Sequence, residues 1–182
     1  MFVDHTAETA PDAARRVLAA TEKKFGYLPA AVARLAESPQ LLDGFLKLSA
    51  IFETTSLDPV ARETVIMTMA THNGCHLCVA MHTAALGRLG ADQALVTALR
   101  EDKPLPDERL QALRDFTLTV LATQGDVPDA DLSAFVAAGF TAQQALEVVL
   151  GIGAYTLSTF ANRLTRAPLD EAVRPFAWAP AT

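Results

Sequence analysis

Residues 58–87 read DPVARETVIMTMATHNGCHLCVAMHTAALG, and this stretch decides the predicted fold. Asp58 followed by Pro59 indicates a helix start, because aspartate caps free amide groups and proline fits the first helical position. Asn73-Gly74 is a natural helix end. A second helix is expected from Cys75 to about Leu86. The stretch therefore predicts two helices that form an antiparallel hairpin at Gly74.

Helical spacing of apolar residues continues on both sides of this hairpin. We predict further helices at about 13–25, 38–54, 91–99, 108–123, 129–138 and 141–164, and residues 29–36 could form another short one. The 34 alanines and 24 leucines among 182 residues also favour helices over sheets. The sequence predicts an all-α, single-domain bundle of about seven to eight helices over residues 1–182, with a lead-in at 1–36 and a reactive hairpin at about 58–87.

A weak internal similarity suggests that part of the bundle is duplicated. A shift of 83 positions aligns Asp58 with Thr141, and both are plausible helix caps. The segment that then overlies Cys75 to His82 has no cysteine or histidine. If a helical repeat underlies this pattern, only its first copy keeps reactive side chains.

Charge and hydropathy exclude several classes of function. The 15 basic and 21 acidic residues give a net charge of −6 without a long block of either sign, so no basic stripe for nucleic acid forms. The longest uncharged stretches, 132–146 and 148–162, are shorter than the roughly 20 residues of a membrane-spanning helix. The N-terminus has acidic residues where a secretory signal would be basic and apolar. We therefore expect a cytoplasmic protein without nucleic acid or membrane partners.

The two cysteines lie too close together in sequence to hold a fold together, so we expect them to serve chemistry or metal binding. On a helix, Cys78 lies about 60° from Cys75, and His82 about 20° from Cys75, so the three share one face. The positive end of the helix dipole favours thiolate over thiol. A neutral imidazole at His82 can take the proton from the Cys78 thiol.

Glu63 is the candidate partner of His82 on the first helix of the hairpin. It lies about 16 Å from the turn along one arm, and His82 about 12 Å along the other, so the two are nearly level. Its neighbours on the same face, Met67 and Ala70, are uncharged, which favours an inward position. Glu63 is better placed to orient His82 than to contact Cys78, as in a base-and-orienter triad.

Two metal-based interpretations of the same residues must be weighed. His72, Cys75, Cys78 and His82 could be the four ligands of a structural zinc ion. Such sites usually pair two separated ligand knuckles, whereas these residues crowd one helix start. Covalent c-type haem requires histidine directly after the second cysteine, and Val79 stands there. Zinc stays an alternative and c-type haem is excluded.

Other polar residues in and outside the cluster are interpreted more plainly. His72 and His76 are expected on the surface or in a loop, and His5 in a mobile N-terminal segment. Asn162 and Arg163 lie within the apolar last helix. They line either a cavity or a subunit contact, and the sequence leaves both interpretations open.

The four-residue pattern resembles the signature of the AhpD-like branch of the carboxymuconolactone decarboxylase family. Glu63 is followed after twelve positions by Cys75, then by Cys78 in Cys-x-x-Cys, then after three residues by His82. The similarity extends over about 37–165 and includes Ala-Asn-Arg-Leu in the last helix. The resemblance implies an all-helical alkylhydroperoxidase that assembles as a trimer or hexamer.

The resemblance also implies a role for each residue. Cys78 attacks the peroxide, and Cys75 resolves the resulting sulfenic acid. His82 and Glu63 form a proton relay to the cysteines. A small dithiol such as dihydrolipoamide, or a partner protein, reduces the disulfide, and no haem, flavin or metal is implied. AhpD proteins carry a second histidine just before the second cysteine, where this chain has Leu77.

We therefore predict a thiol-dependent peroxidase that acts on hydroperoxides through a redox-active disulfide. The family's decarboxylase branch lacks the cysteine pair, which makes lactone decarboxylation a weaker hypothesis. Three alternatives stay open: a protein disulfide oxidoreductase or redox sensor, a zinc-stabilised helical interaction module, and a binding or lyase-like protein whose pocket takes a small organic acid.

Overall fold

Every regular element in residues 1–179, the part of the chain that this computed structural model describes, is helical. The elements are α1 (Asp12–Phe25), α2 (Ala30–Leu35), α3 (Pro39–Phe52), α4 (Pro59–His72), α5 (His76–Arg88), α6 (Gln93–Glu101), α7 (Glu108–Ala122), α8 (Asp129–Ala137), α9 (Ala142–Thr165) and a 3-10 helix (Glu171–Phe176). The predicted all-α, single-domain fold is confirmed. The predicted number of helices is slightly low: the short helix that the sequence allowed at 29–36 is present as α2, and the six-residue 3-10 helix was not predicted.

Polar caps set the starts of the helices that build the site. The Asp58 carboxylate accepts a hydrogen bond from the amide of Ala61 at 2.9 Å, and Pro59 is the first residue of α4. At the start of α9, Thr141 and Gln144 form a reciprocal capping box. These caps confirm the helix starts expected from the sequence.

Helix α4 is the central element of the bundle. It packs against α5, α6, α7 and α9. Its buried side chains include Val65, Ile66, Met67 and Met69, so apolar groups surround it on almost every side. A helix buried in this way has little freedom to rotate, which fixes the direction in which Glu63 points.

Helix α9 reaches the core through a close approach at Gly151. A Cβ atom at this position would lie 2.8 Å from two ring carbons of Phe52 and 3.1 Å from a methyl of Val65. The missing side chain allows α9 to pack directly on α3 and α4. The same helix carries Tyr155 and Asn162 into the interior.

Two predictions from the sequence, the internal repeat and a mobile His5, are wrong. The shift of 83 residues places Leu157 opposite Gly74, yet α9 is continuous there, whereas α4 and α5 form a hairpin; the two segments are not copies of one structure. His5 is buried rather than mobile, because its Nε2 atom lies 2.8 Å from Glu37 Oε2 and its Nδ1 atom 3.2 Å from the Thr9 carbonyl oxygen.

Within residues 1–179, none of the helices taken singly has the length and apolarity needed to cross a membrane. Helices α8 and α9 meet the length and composition criteria only as a pair, with a bend of 109° between them.

Candidate functional site

The turn between α4 and α5 brings the two cysteines together at the start of a helix. Gly74 has a φ of 62°, in the left-handed region that favours glycine. Cys75 then caps α5, and its sulfur accepts a hydrogen bond from the amide of Cys78 at 3.3 Å. The two sulfur atoms are in disulfide contact, and the Cα atoms are 5.3 Å apart. The sequence expectation of a redox-capable pair at a helix N-terminus therefore has the necessary geometry.

His82 and Glu63 meet across the hairpin. His82 Nδ1 lies 2.8 Å from Glu63 Oε2, as their nearly equal distances from the turn predicted. An ionised carboxylate can only accept, so Nδ1 donates the proton and Nε2 is left as the basic nitrogen. Both side chains are largely buried, with exposed fractions of 18% for His82 and 11% for Glu63.

His82 lies on the same face of α5 as Cys78. The residues are four positions apart on α5, a spacing at which side chains are neighbours. In the disulfide-bonded arrangement no hydrogen bond joins His82 to Cys78 in the described chain. The two side chains are therefore neighbours on one helix face without a direct hydrogen bond in this arrangement.

Tyr155 on α9 is a neighbour that the sequence analysis missed. Its ring meets the His82 imidazole edge to face, with centroids 5.5 Å apart and planes at 84°. The hydroxyl lies 3.5 Å from Ser49 Oγ. Burial, together with the negative charge of Glu63, raises the pKa of Tyr155 to about 12, although the Ser49 contact opposes this shift. Tyr155 is therefore a neutral aromatic side chain that packs against the His82 ring and limits its orientations.

Asn162 and Arg163 have separate roles at the reactive turn. Asn162 Nδ2 lies 3.4 Å from Cys78 Sγ and 3.4 Å from Ser158 Oγ, and the residue is buried. Arg163 donates to the carbonyl oxygen of Asn73 at 2.5 Å. Of the two interpretations that the sequence left open, Asn162 lines the interior beside the sulfur, while Arg163 holds the turn from outside. Asn162 lies seven residues after Tyr155, a spacing of one helix face that could have signalled this arrangement.

The remaining histidines lie apart from this arrangement. His72 is exposed and His76 is half-buried, as expected for surface or loop residues. Leu77 is fully buried in the main apolar core, so the position where AhpD proteins carry a second histidine packs inward in this chain. Among residues 1–179, no three or more His, Cys, Asp or Glu side chains are grouped so that they could hold a metal ion.

A cavity of about 260 Å³ borders the carboxylate end of the pair. It lies between the first turn of α4 and the last turn of α5. Its lining residues are Glu53, Pro59, Arg62, Glu63, Ala85, Arg88 and Leu89. Glu63 is thus in contact with His82 on one side and with the cavity on the other.

The carboxymuconolactone decarboxylase family model matches residues 39–102. This region contains α3 to α6 and all four predicted site residues. No curated protein sequence matches the chain.

Solved structures share the fold over nearly the whole chain. A peroxidase-related protein from Ralstonia eutropha JMP134, described as an alkylhydroperoxidase AhpD core, has a TM-score of 0.82 and 21% identity over 94% of this chain and 93% of its own. A peroxidase-related protein from Silicibacter sp. TM1040 has a TM-score of 0.74 and 20% identity, over 90% and 87% of the two chains. The debrominase Bmp8 in complex with 2,3,4-tribromopyrrole has a TM-score of 0.73 and 14% identity, over 97% and 95%. Residues 39–102 thus match the carboxymuconolactone decarboxylase family model, and the chain shares its fold with these AhpD-like structures.

Proposed function

We propose that this protein is a thiol-dependent peroxidase that reduces hydroperoxides through a Cys75–Cys78 dithiol and disulfide cycle. One observation carries the proposal. The two sulfur atoms are in contact at the N-terminus of α5, on the same hairpin that joins His82 to Glu63. This arrangement combines a nucleophile, a resolving thiol, a base and an orienting carboxylate.

The first step consumes one hydroperoxide. The Cys78 thiolate attacks the terminal oxygen of the hydroperoxide, so that an S–O bond forms as the O–O bond breaks. The sulfur is oxidised to a sulfenic acid, and the departing alkoxide takes a proton from His82 and leaves as an alcohol. With hydrogen peroxide as substrate, the leaving product is water.

The second step protects the sulfur and prepares it for reduction. The Cys75 thiol condenses with the sulfenic acid of Cys78, forms the disulfide and releases water. A dithiol donor then reduces this disulfide and becomes oxidised itself. Because the exposed fractions of Cys75 and Cys78 are only 1% and 3%, a small dithiol suits the site better than a bulky protein thiol. The cycle as proposed needs no haem, flavin or metal.

Proton movement follows from the contacts of His82. Its Nε2 atom accepts the proton of the Cys78 thiol, and its Nδ1 atom donates to Glu63. The negative charge of Glu63 stabilises the imidazolium until that proton is given to the leaving alkoxide. The cavity that Glu63 lines gives the pair an exchange route with water.

The structural relatives support the same class of chemistry and also indicate its breadth. Two of them are described as peroxidase-related, and a third is a debrominase. All three are at most 21% identical to this chain, so we infer the chemistry from the cysteine site itself and not from these names.

Replacement of each cysteine by serine tests the proposal. We expect Cys78→Ser to abolish peroxide consumption and Cys75→Ser to permit one turnover and then stop with sulfenic or sulfinic acid at Cys78. Full activity of Cys78→Ser would contradict the proposal. Slow reaction with peroxide but fast thiol–disulfide exchange with proteins would favour a disulfide oxidoreductase or sensor instead. Stoichiometric zinc, together with a chelator that lowers the melting temperature, would favour the interaction module.

We also propose that the chain forms a homo-oligomer, a trimer or hexamer, through α9. Leu146, Val149, Phe160 and Leu164 are exposed on one face of this helix, and Ile51 is exposed on the adjacent α3. Contiguous exposed apolar residues mark interaction surfaces. Sedimentation should show an assembly that Phe160→Asp dissociates, whereas Leu132→Asp on α8 should leave it intact; a monomeric parent protein would contradict this.

A further inference from the structure

Asn162 is a buried amide whose two polar atoms have unequal partners. Its Nδ2 atom lies 3.4 Å from Cys78 Sγ and 3.4 Å from Ser158 Oγ. Its Oδ1 atom is buried and has no hydrogen-bond partner among the described residues. The exposed fraction of the whole residue is 4%. A buried acceptor without a partner is destabilising, so its position beside a reactive sulfur requires an explanation.

We propose that Asn162 is a catalytic residue: its amide N–H stabilises the Cys78 thiolate, and its amide oxygen accepts the O–H of the incoming hydroperoxide. This inference rests on the proposed peroxidase function and adds a residue from α9 to the four reactive residues of the α4–α5 hairpin. It assigns the unpartnered oxygen to the substrate.

The donor half of the proposal follows from the contact with sulfur. Within residues 1–179, Asn162 makes the one side-chain hydrogen bond to Cys78 Sγ. When the disulfide is reduced and Cys78 ionises, the same N–H faces a full negative charge, and hydrogen bonds to charged groups are the stronger ones. Because a hydrogen bond to the ionised form favours that form, Asn162 increases the thiolate fraction at neutral pH.

The acceptor half follows from the chemistry of the attacked oxygen. The terminal oxygen of a hydroperoxide carries one hydrogen, and this hydrogen stays on that oxygen when it becomes the oxygen of the sulfenic acid. An acceptor beside the sulfur can therefore hold the O–H group before, during and after the S–O bond forms, without any proton transfer to Asn162. Since Oδ1 is in the same amide group as the Nδ2 atom that contacts the sulfur, it is placed to do this.

Neighbouring residues keep the amide in place. Asn162 Nδ2 also donates to Ser158 Oγ, one turn earlier on α9. Helix α9 is fixed to the reactive turn by Asn73, whose Nδ2 atom donates to Thr159 Oγ1 at 2.9 Å. The Asn73 side-chain amide thus joins the turn to α9. Gln144→Ala is the matched control for the loss of a buried amide, because Gln144 lies on the same helix as Asn162, donates to the Ser56 carbonyl oxygen and has no hydrogen bond to either sulfur.

The experiment compares Asn162→Leu, Asn162→Ala and the Gln144→Ala control in a Cys75→Ser background, so that only the Cys78 thiol reacts. The first measurement is the pH at which alkylation by iodoacetamide is half-maximal. We expect both Asn162 variants to raise this midpoint by about one unit or more, since they remove a hydrogen bond to a charged group. The control should stay near the parent value. An unchanged midpoint in the Asn162 variants would overturn the donor half.

The second measurement is made above that midpoint, where Cys78 is fully ionised in every variant. We expect the Asn162 variants to react about tenfold more slowly with an alkyl hydroperoxide, because they lack the acceptor. Their reaction with methyl methanethiosulfonate, which has no O–H group, should stay within about twofold of the parent. Equal losses with both reagents, or no loss, would overturn the acceptor half.

The two measurements distinguish failure of the role proposed for Asn162 from failure of the peroxidase function. If the parent protein reacts with methyl methanethiosulfonate but not with hydroperoxides, the peroxidase function and the acceptor half are both overturned. If the parent reduces hydroperoxides and the Asn162 variants match it in both measurements, the peroxidase function stands and the role of Asn162 is overturned. Melting temperatures of the three variants check that each is folded.

Discussion

His82 Nδ1 and Glu63 Oε2 lie 2.8 Å apart, although the two residues are on different helices and separated by 19 positions in sequence. The contact exists because α4 and α5 turn back on each other at Gly74 and place both residues at the same height in the hairpin. It fixes which nitrogen of the imidazole is the base. The proposed chemistry of Cys78 depends on this orientation.

Glu63→Gln should slow hydroperoxide reduction by roughly a hundredfold, because the neutral amide no longer stabilises the imidazolium that forms on His82. Stopped-flow measurement of Cys78 oxidation tests this. Glu53→Gln is the control, since Glu53 lines the same cavity without contacting His82. We expect the control to stay within about twofold of the parent, and an equal loss in both variants would show that the contact with His82 is not the cause.

Gly151→Ala should destabilise the protein by about 1 kcal/mol or more. The added methyl would lie 2.8 Å from the fully buried Phe52 ring, and overpacking of this kind outweighs the better helix propensity of alanine. Gly87→Ala on α5 is the control, because nothing lies within 4 Å of the new Cβ. Denaturant unfolding should show a loss only for Gly151→Ala. Equal or improved stability in that variant would contradict the close packing of α9.

Tyr155 should make stability fall between pH 10 and about pH 12. Its pKa is raised by burial to about 12 in the folded state, so in this range the unfolded chain releases the phenolic proton while the folded chain retains it. The stabilisation is complete below pH 10 and is lost as pH rises through about 12; this difference of about two pKa units corresponds to about 3 kcal/mol.

Tyr155→Phe removes this titration, and its free energy of unfolding should therefore decline less over the same range. Denaturant unfolding at pH 9 and pH 11.5 measures the difference. Tyr27→Phe is the control, because Tyr27 is 36% exposed and its loss should change the slope less. Identical slopes for the parent and Tyr155→Phe would contradict the buried, protonated state of Tyr155.

Local sequence signals were sufficient to predict the hairpin and the contacts Glu63–His82 and Cys75–Cys78 within it. Asp58-Pro59 and Gly74 mark its ends and its turn, and the helical rise predicts that Glu63 and His82 are level. These inferences need only one turn between two helices, so errors do not accumulate along the chain. The pair of sulfur atoms follows equally from three-residue spacing at a helix start.

The contribution of α9 could not be predicted in the same way. Tyr155 contacts His82 and Asn162 contacts Cys78 only because Gly151 lets α9 pack closely on the core, about 70 to 85 residues away along the chain. Nothing in the local pattern of α9 specifies which helix it meets. His5 was missed for a related reason, since its partner Glu37 lies 32 positions away on the other side of α1.

The most direct test of the account is the intact mass of the fully reduced protein before and after one equivalent of an organic hydroperoxide, followed by peptide mapping. We predict the loss of two hydrogen atoms within seconds, located in a Cys75–Cys78 disulfide, with one alcohol released for each protein chain. An unchanged mass, with both cysteines still free, would contradict the proposed peroxidase function.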